Sequence, residues 1–299
     1  MTEPVVLVFG SQGQVAQALV KLADDFPLHV EAAGRAVCDI TSQEAVDAIV
    51  DKIRPQAIIN AAAYTAVDQA EDDAENAQQL NAAAVMYLAQ ACSRHTIPLL
   101  HISTDYVFDG QSRRPYREED KTSALGIYGA TKLEGEKLAA QHCGKTIILR
   151  TSWVFSATGQ NFVKTMLRLF KEKDSLNVVD DQVGGPTAAD AIATTLLQMT
   201  LQVLNETFDD YGVYHYCGDP AITWCGFANA ISECAEQQSR RALAIKPVTS
   251  AEFPSKVTRP KNSLLDCSKL KRVFGIAPCD WQDALTQVVE EIEGINDGV

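Results

Sequence analysis

Thr104, Tyr128 and Lys132 are the residues of this chain whose types and spacing could do chemistry together, set in SerThrAspTyrValPheAspGly (103–110) and TyrGlyAlaThrLys (128–132). A tyrosine and a lysine four residues apart on a helix share one face, so a phenol and an ammonium become neighbours. A free phenol has a pKa near ~10, and a cation a few ångströms away favours the phenolate and lowers that value. Tyr128 is then expected to act as a general acid that protonates a carbonyl. Such spacing also arises by chance, with the tyrosine packed and the lysine solvated. Its position after a dinucleotide-binding pattern is what gives it meaning.

That pattern lies at the N-terminus. ValValLeuValPheGly (5–10) is a short apolar run rich in β-branched residues, as expected for a strand buried on both faces of a parallel sheet. Gly10, Ser11, Gln12, Gly13, Gln14, Val15 and Ala16 follow and open an amphipathic helix through about Asp24. Gly10 permits a tight turn, and Gly13 lets the backbone approach a pyrophosphate at the positive end of the helix. Ala16 stands for the last glycine of the motif and is still small enough for close helix-on-strand packing.

Behind these motifs the first half alternates strand and helix. Strands are predicted at 28–33, 57–60, 99–103 and 146–150; helices follow a capping box at Thr41 and Glu44, then run over about 74–94 and 127–142. This order implies an α/β fold, a Rossmann-type doubly wound parallel sheet, with ligands bound beyond the carboxyl ends of the strands. Residues 1–150 are predicted to form the dinucleotide-binding domain, to which 175–205 returns. Residues 151–174 and 206–299 are assigned to a smaller C-terminal substrate-binding lobe. Its expected pieces are a strand at 213–217, a helix near 225–237, a strand at 245–248 and a closing helix over 281–293.

Composition narrows the partners. A net charge of −13 argues against nucleic acid or an anionic membrane, both of which favour a basic surface. No segment has the roughly 18 apolar residues that span a bilayer, and Met1 to Pro4 lack a cationic signal-peptide start. The eight cysteines show no Cys-x-x-Cys and no histidine spacing of a zinc site, so they read as buried apolar residues of a reducing, cytoplasmic compartment. His101, inside LeuLeuHisIleSer, reads as a packed residue or one that supports the site from behind.

The ordered set of motifs extends well beyond the superfamily signals. GlyxxGlyGlnValAla, AsnAlaAlaAlaTyrThrAlaValAspxAlaGlu (60–71), SerThrAspTyrValPheAspGly, TyrGlyxThrLysLeuxGlyGlu (128–136), ArgThrSerTrpValPhe (150–155), AspGlnxGlyxProThr (181–187) and ArgProxAsnSerxLeuAsp (259–266) together resemble the dTDP-4-dehydrorhamnose reductase family. That family is a branch of the extended short-chain dehydrogenase/reductases. The resemblance covers nearly the whole chain; the tryptophan after ArgThrSer and the last two motifs are particular to this branch.

The resemblance implies reduction of the 4-keto group of a dTDP-sugar, giving dTDP-L-rhamnose for cell-surface polysaccharide. Thr104 would hydrogen-bond the substrate carbonyl, Tyr128 supply the proton, and Lys132 lower the tyrosine pKa while holding the nicotinamide ribose. Gly10, Gln12, Gly13, Gln14 and Val15 would form the phosphate turn; Asp39 and Ile40 would flank the adenine, and Ala61, Ala62, Ala63 and Tyr64 line the cofactor. Trp153 resembles the family's sugar-contacting tryptophan. Asp105, Tyr106, Gln182 and Arg259 are candidates for the sugar hydroxyls or the diphosphate, with Arg259 flanked by Lys256 and Lys261 in a local basic patch.

Cofactor choice can be argued from the end of the second strand, where an acidic residue would favour NAD. Gly34 and Arg35 stand there instead, and arginine suits a 2′-phosphate, so NADPH is expected ahead of NADH. Some relatives bind magnesium at a dimer interface through a glutamate of the first helix; here that stretch reads Gln17, Ala18, Leu19, and no metal is expected. Monomer and homodimer both stay open. So do two other functions: a reductase or epimerase of another nucleotide sugar, and a non-catalytic subunit like the regulatory subunit of methionine adenosyltransferase.

Overall fold

Strands that are apolar on both faces must be covered on both sides, and the computed structural model, which describes residues 3–239, 244–253 and 255–296, meets that demand with helices. β1 (Val5–Phe9), β2 (His29–Ala33), β3 (Ala57–Asn60), β4 (Leu99–Thr104) and β5 (Thr146–Thr151) alternate with helices. Those helices are α1 (Gln14–Lys21), α2 (Gln43–Ile53), α3 (Val67–Ala70), α4 (Ala74–Gln78), α5 (Ala84–His95) and α6 (Ile127–His142). After β5 come β6 (Val154–Phe155), α7 (Phe162–Glu172), β7 (Ser175–Val179), β8 (Val183–Gly184), β9 (Thr187–Ala188) and α8 (Ala189–Val203). The chain continues through β10 (Gly212–His215), β11 (Ile222–Thr223), α9 (Trp224–Ser239), β12 (Ala244–Val248), α10 (Ser268–Phe274) and α11 (Trp281–Asn296).

Among the described residues the main sheet has six parallel strands in the order β10-β5-β4-β3-β1-β2. The direction of winding reverses between β1 and β3, which puts the ligand crevice beyond their carboxyl ends. Side chains alternate across the sheet with the strand period of two. Val6 and Val8 point into a core shared with α1 and α8, while Leu7 and Phe9 point into one shared with α2 and α5. Each fully buried aliphatic side chain there contributes ~1.5–3 kcal/mol. A third core, built by Phe155, Val163, Phe227 and Trp281, gathers β6, α7, α9 and α11.

Two features differ from the sequence reading. Helix α2 is capped by Ser42, whose hydroxyl accepts from the Ala45 N–H at 3.2 Å, whereas Thr41 turns back to donate to Asp39. The return to the main sheet is made by α8 and β10, the latter in a stretch assigned to the lobe; β7 instead pairs with β12. The physical reason is burial. Tyr214 and His215 of β10 are fully buried, whereas β7 buries only Val178 and exposes Ser175 and Asn177, so it suits a small one-sided sheet.

Helix α6 departs from an apolar stripe. Its buried residues include Thr131, Lys132 and Glu136, polar groups that are seldom fully buried unless partnered. Gly135 lets α6 approach a wide π-helical turn at 79–83, since a Cβ there would lie 2.0 Å from the Asn81 carbonyl oxygen. Among the described residues no helix is long and apolar enough to cross a membrane.

Candidate active site

The carboxyl ends of β1, β2, β3, β4 and β5 open on one cleft of about 1310 Å³. At its floor the chain leaves β1 through Gly10, whose φ of +96° and close approach to the β3 loop both require glycine. A Cβ at Gly10 would lie 2.7 Å from the Ala62 nitrogen. Gly13 caps α1 without any side-chain hydrogen bond, and the first turn carries no acidic residue. The α1 amides are therefore left to an anion such as a pyrophosphate, which is the fit expected of a dinucleotide. Gln12, Gln14 and Val15 line the same wall, and the Gln14 side chain also braces the loop after β6 by accepting from Ser156 and Asn161.

Every residue expected to hold the cofactor reaches this cleft. Ala61, Ala62, Ala63 and Tyr64 form one side; Arg35, Asp39 and Ile40 stand at the end of β2. Small side chains at 61–63 leave room for a flat ring. Arg35 is 88 % exposed and pairs with Asp39 at 3.4 Å, so its guanidinium is open to solvent at the rim of the cleft. Hydrogen bonds from the Thr41 hydroxyl and backbone keep Asp39 below the usual carboxylate range, with Arg35 adding to the effect. Tyr64 is fixed through Asn81, which accepts from its N–H at 2.8 Å, donates to its carbonyl at 3.2 Å and donates to Thr131.

Thr104, Tyr128 and Lys132 also converge here. The Thr104 hydroxyl donates to Asp105 Oδ1 at 3.1 Å and accepts from the Tyr106 N–H at 3.2 Å, which orients it at the mouth of β4. Lys132 is buried; its Nζ donates to the Ile102 carbonyl at 2.7 Å and lies 3.3 Å from His101 Nε2. Sequence spacing alone places this ammonium against the phenol to lower its pKa. In the structure Lys132 Nζ turns toward β4, and burial pushes Tyr128 up to about 12, with the Thr104 hydroxyl pulling the other way. Burial likewise brings Lys132 down to about 8. Asp105 is pushed up to about 6 by burial against the hydroxyls of Ser263 and Thr104.

Behind the trio lies a buried charge network that the sequence reading does not contain. Arg150 makes a two-pronged pair with Glu136, at 2.9 and 2.7 Å, and both side chains are only 4 % exposed. Ser103 donates to the same carboxylate, and Arg150 reaches His215 at 3.4 Å. A buried pair of this kind is costly to break from one side, because the survivor is left uncompensated.

The substrate candidates divide. Asp105, Tyr106 and Trp153 line the cleft, whereas Gln182 and Arg259 do not. The Gln182 amide donates to Ser250. Arg259 pairs with Asp68 at 2.7 Å and contacts Tyr106, whose ring sits 5.6 Å from that of Tyr128. Its neighbours are paired as well, Lys256 with Asp72 and Lys261 with Asp181, so the basic patch read from sequence is neutralised within the fold. Trp224 is a cleft residue the sequence reading missed; it stacks on Trp153. Among the described residues no group of three or more His, Cys, Asp or Glu could hold a metal ion.

With this geometry in place, the chain can be set beside known proteins. Residues 4–293 match the family model described as the RmlD substrate binding domain. A dTDP-4-dehydrorhamnose reductase from Aggregatibacter actinomycetemcomitans is 44 % identical over 286 residues, 95 % of this chain and 97 % of that one. Of solved structures, a dTDP-4-dehydrorhamnose reductase from Clostridium acetobutylicum superimposes with a TM-score of 0.89 at 33 % identity, covering 97 % of this chain and 99 % of that one. The Bacillus anthracis enzyme of the same name, solved in complex with NADP, gives 0.87 at 32 % identity with the same coverage.

Proposed function

The chain belongs to the RmlD substrate binding domain family, that of the dTDP-4-dehydrorhamnose reductases, and from that premise we propose a division of labour in its cleft. The protein is an NADPH-dependent reductase of dTDP-rhamnose synthesis, acting on the 4-keto group of dTDP-4-dehydro-6-deoxy-L-mannose. The observation that carries this reading is the convergence of the glycine turn with Thr104, Tyr128 and Lys132 on one cleft.

The α1 amides, the Ala61–Ala63 wall and Arg35 would hold the dinucleotide, whose reduced nicotinamide would supply the hydride that turns the keto carbon into a secondary alcohol. The protein's own groups manage the oxygen. Thr104, held by Asp105 and Tyr106, hydrogen-bonds the carbonyl, and Tyr128 gives it a proton as negative charge develops there. A phenol that burial keeps protonated is available as an acid throughout the neutral range. Lys132 holds the cofactor ribose and serves the phenol's proton. Trp153 offers the deoxysugar an apolar face, and Asp105 and Tyr106 meet its hydroxyls. Gln182 and Arg259 lie outside the cleft and are assigned to the nucleotide end. The eight cysteines are all free thiols, which supports reading the enzyme as one of a reducing, cytoplasmic compartment.

The deciding measurement is NADPH oxidation with a panel of 4-keto nucleotide sugars that differ in base and at the 3, 5 and 6 positions of the sugar. The dTDP-6-deoxy-L-lyxo-4-hexulose should be consumed fastest, and Tyr128→Phe should lower turnover by roughly 10²-fold or more. Faster reduction of a sugar on another base would move the assignment to a different nucleotide sugar.

A further inference from the structure

His101 is fully buried and engaged at both ring nitrogens. Its Nδ1 lies 3.1 Å from Asn60 Nδ2, and its Nε2 lies 3.3 Å from Lys132 Nζ. The orientation of Asn60 is not free, because its Oδ1 accepts the Ala62 N–H at 3.1 Å and a backbone N–H can only donate. The atom turned toward His101 is therefore the amide nitrogen, itself a donor only. His101 Nδ1 must accept, so the proton of the neutral imidazole sits on Nε2. Burial holds His101 well below the usual histidine range, which keeps it neutral. The Nε2–H is thus aimed at Lys132 Nζ, and a lysine nitrogen has a lone pair to receive it only as the neutral amine. The contact from Nζ to the Ile102 carbonyl can be made in either protonation state.

We propose that His101, with its tautomer set by Asn60, is a positioning residue that presents an N–H to Lys132 Nζ and favours the amine over the ammonium. This rests on the reading in which Lys132 serves the proton of Tyr128. When Tyr128 protonates the carbonyl oxygen, its O–H bond breaks and an alcohol O–H forms. A Lys132 that releases its own proton easily restores the phenol, and the amine then regains a proton from solvent.

The other groups facing Lys132 do not supply this bias. Glu136, one turn further along α6, favours the ammonium, and it is tied to Arg150 of β5 and Ser103 of β4. Tyr128 lies one turn earlier with Asp105 beyond it, the Asn81 amide of the 79–83 turn donates to Thr131 and to the Tyr64 carbonyl, and the Tyr64 hydroxyl donates to Asp73. His101 is the neighbour that offers Nζ a donor.

The test titrates Lys132 directly, by NMR of protein carrying ¹³C at lysine Cε, with the Lys132 signal identified by its loss in Lys132→Met. Two variants reverse the polarity. His101→Gln can turn an amide oxygen toward Nζ, and Asn60→Asp accepts from His101 Nδ1–H, moving the ring proton away from Lys132. Each should raise the Lys132 titration midpoint by about one pH unit or more. The alkaline limb of kcat/KM for NADPH-dependent reduction should move up with it. Circular dichroism confirms folding, and His101→Gln alone suffices if Asn60→Asp does not fold. An unchanged Lys132 midpoint in folded His101→Gln overturns the proposal. The NMR titration needs no substrate, so its failure is separable from a failure of the reductase reading.

Discussion

The indoles of Trp153 and Trp224 lie face to face, with ring centroids 3.5 Å apart and planes 10° from parallel. Trp153 has a φ of +49°, a left-handed conformation that costs a residue with a Cβ on the order of 1–3 kcal/mol and persists only where its surroundings hold it. Gly184 is part of that hold. A Cβ there would lie 2.4 Å from Trp153 Cε2, so the missing side chain is the space the indole occupies. Gly184 and Trp224 are brought together by the β8–β11 pairing, which makes the Trp153 site a product of the smaller sheet.

Trp224→Leu should therefore release Trp153 and lower turnover, because a small error in approach geometry can cost up to about 10²-fold. Trp224→Phe keeps an aromatic face and should recover most of the loss. Steady-state kinetics on the two folded variants decides it; a Trp224→Leu enzyme with wild-type kcat would mean the stack has no part in positioning.

Arg35 should select the cofactor. Its guanidinium is exposed at the end of β2 and loosely paired with Asp39, so a 2′-phosphate can recruit it at small cost. Arg35→Ala is expected to weaken NADPH by about 1.5–3 kcal/mol, the range for a hydrogen bond to a charged group, and to affect NADH much less. Calorimetric titration with both nucleotides checks this, and equal losses would show that selection lies elsewhere.

The Arg259–Asp68 pair makes a prediction of opposite signs. If Arg259 meets the diphosphate, that anion must compete with Asp68, whose pairing in a half-exposed site is worth about 0.2–1 kcal/mol. Asp68→Asn should lower the KM for the dTDP-sugar by up to about 5-fold, and Arg259→Ala should raise it with kcat nearly unchanged, since the diphosphate keeps its charge through the reaction. Changes of the same sign in both variants would place the diphosphate elsewhere.

What was legible in the sequence was local. The β-branched run before Gly10, the glycines of the turn and the four-residue spacing of Tyr128 and Lys132 each announce their structure within one turn or strand. The supports of the site were not legible, because their partners meet only in the fold: Asn60 with His101 across β3 and β4, Glu136 with Arg150 from helix to strand, Trp153 after β5 with Trp224 at the start of α9. The choice of β10 over β7 for the main sheet also escaped a reading by segment, since both are short apolar runs and only their burial tells them apart. Spacing likewise put Lys132 on the face of Tyr128 but could not show that its Nζ turns to Ile102.

His215 is fully buried, with Nδ1 3.0 Å from the Tyr116 carbonyl and Nε2 facing Arg150, and burial followed by the Arg150 charge lowers it to about 3. The unfolded chain would bind this proton near pH ~6.5. Between about 6.5 and 3 the unfolded state thus holds a proton the folded state refuses, and stability falls as pH drops through that window. Asp105 acts in the opposite sense: raised to about 6, it binds its proton more readily when folded and offsets part of the loss between ~4 and 6. His215→Gln removes the first effect and leaves the second. Urea melts from pH 7 to 4 should then show a shallower fall for the variant than for the wild type, by up to ~1.4 kcal/mol per pH unit for one proton. Equal slopes would mean that His215 takes up its proton in the folded state, and that its burial against Arg150 is not what sets acid stability.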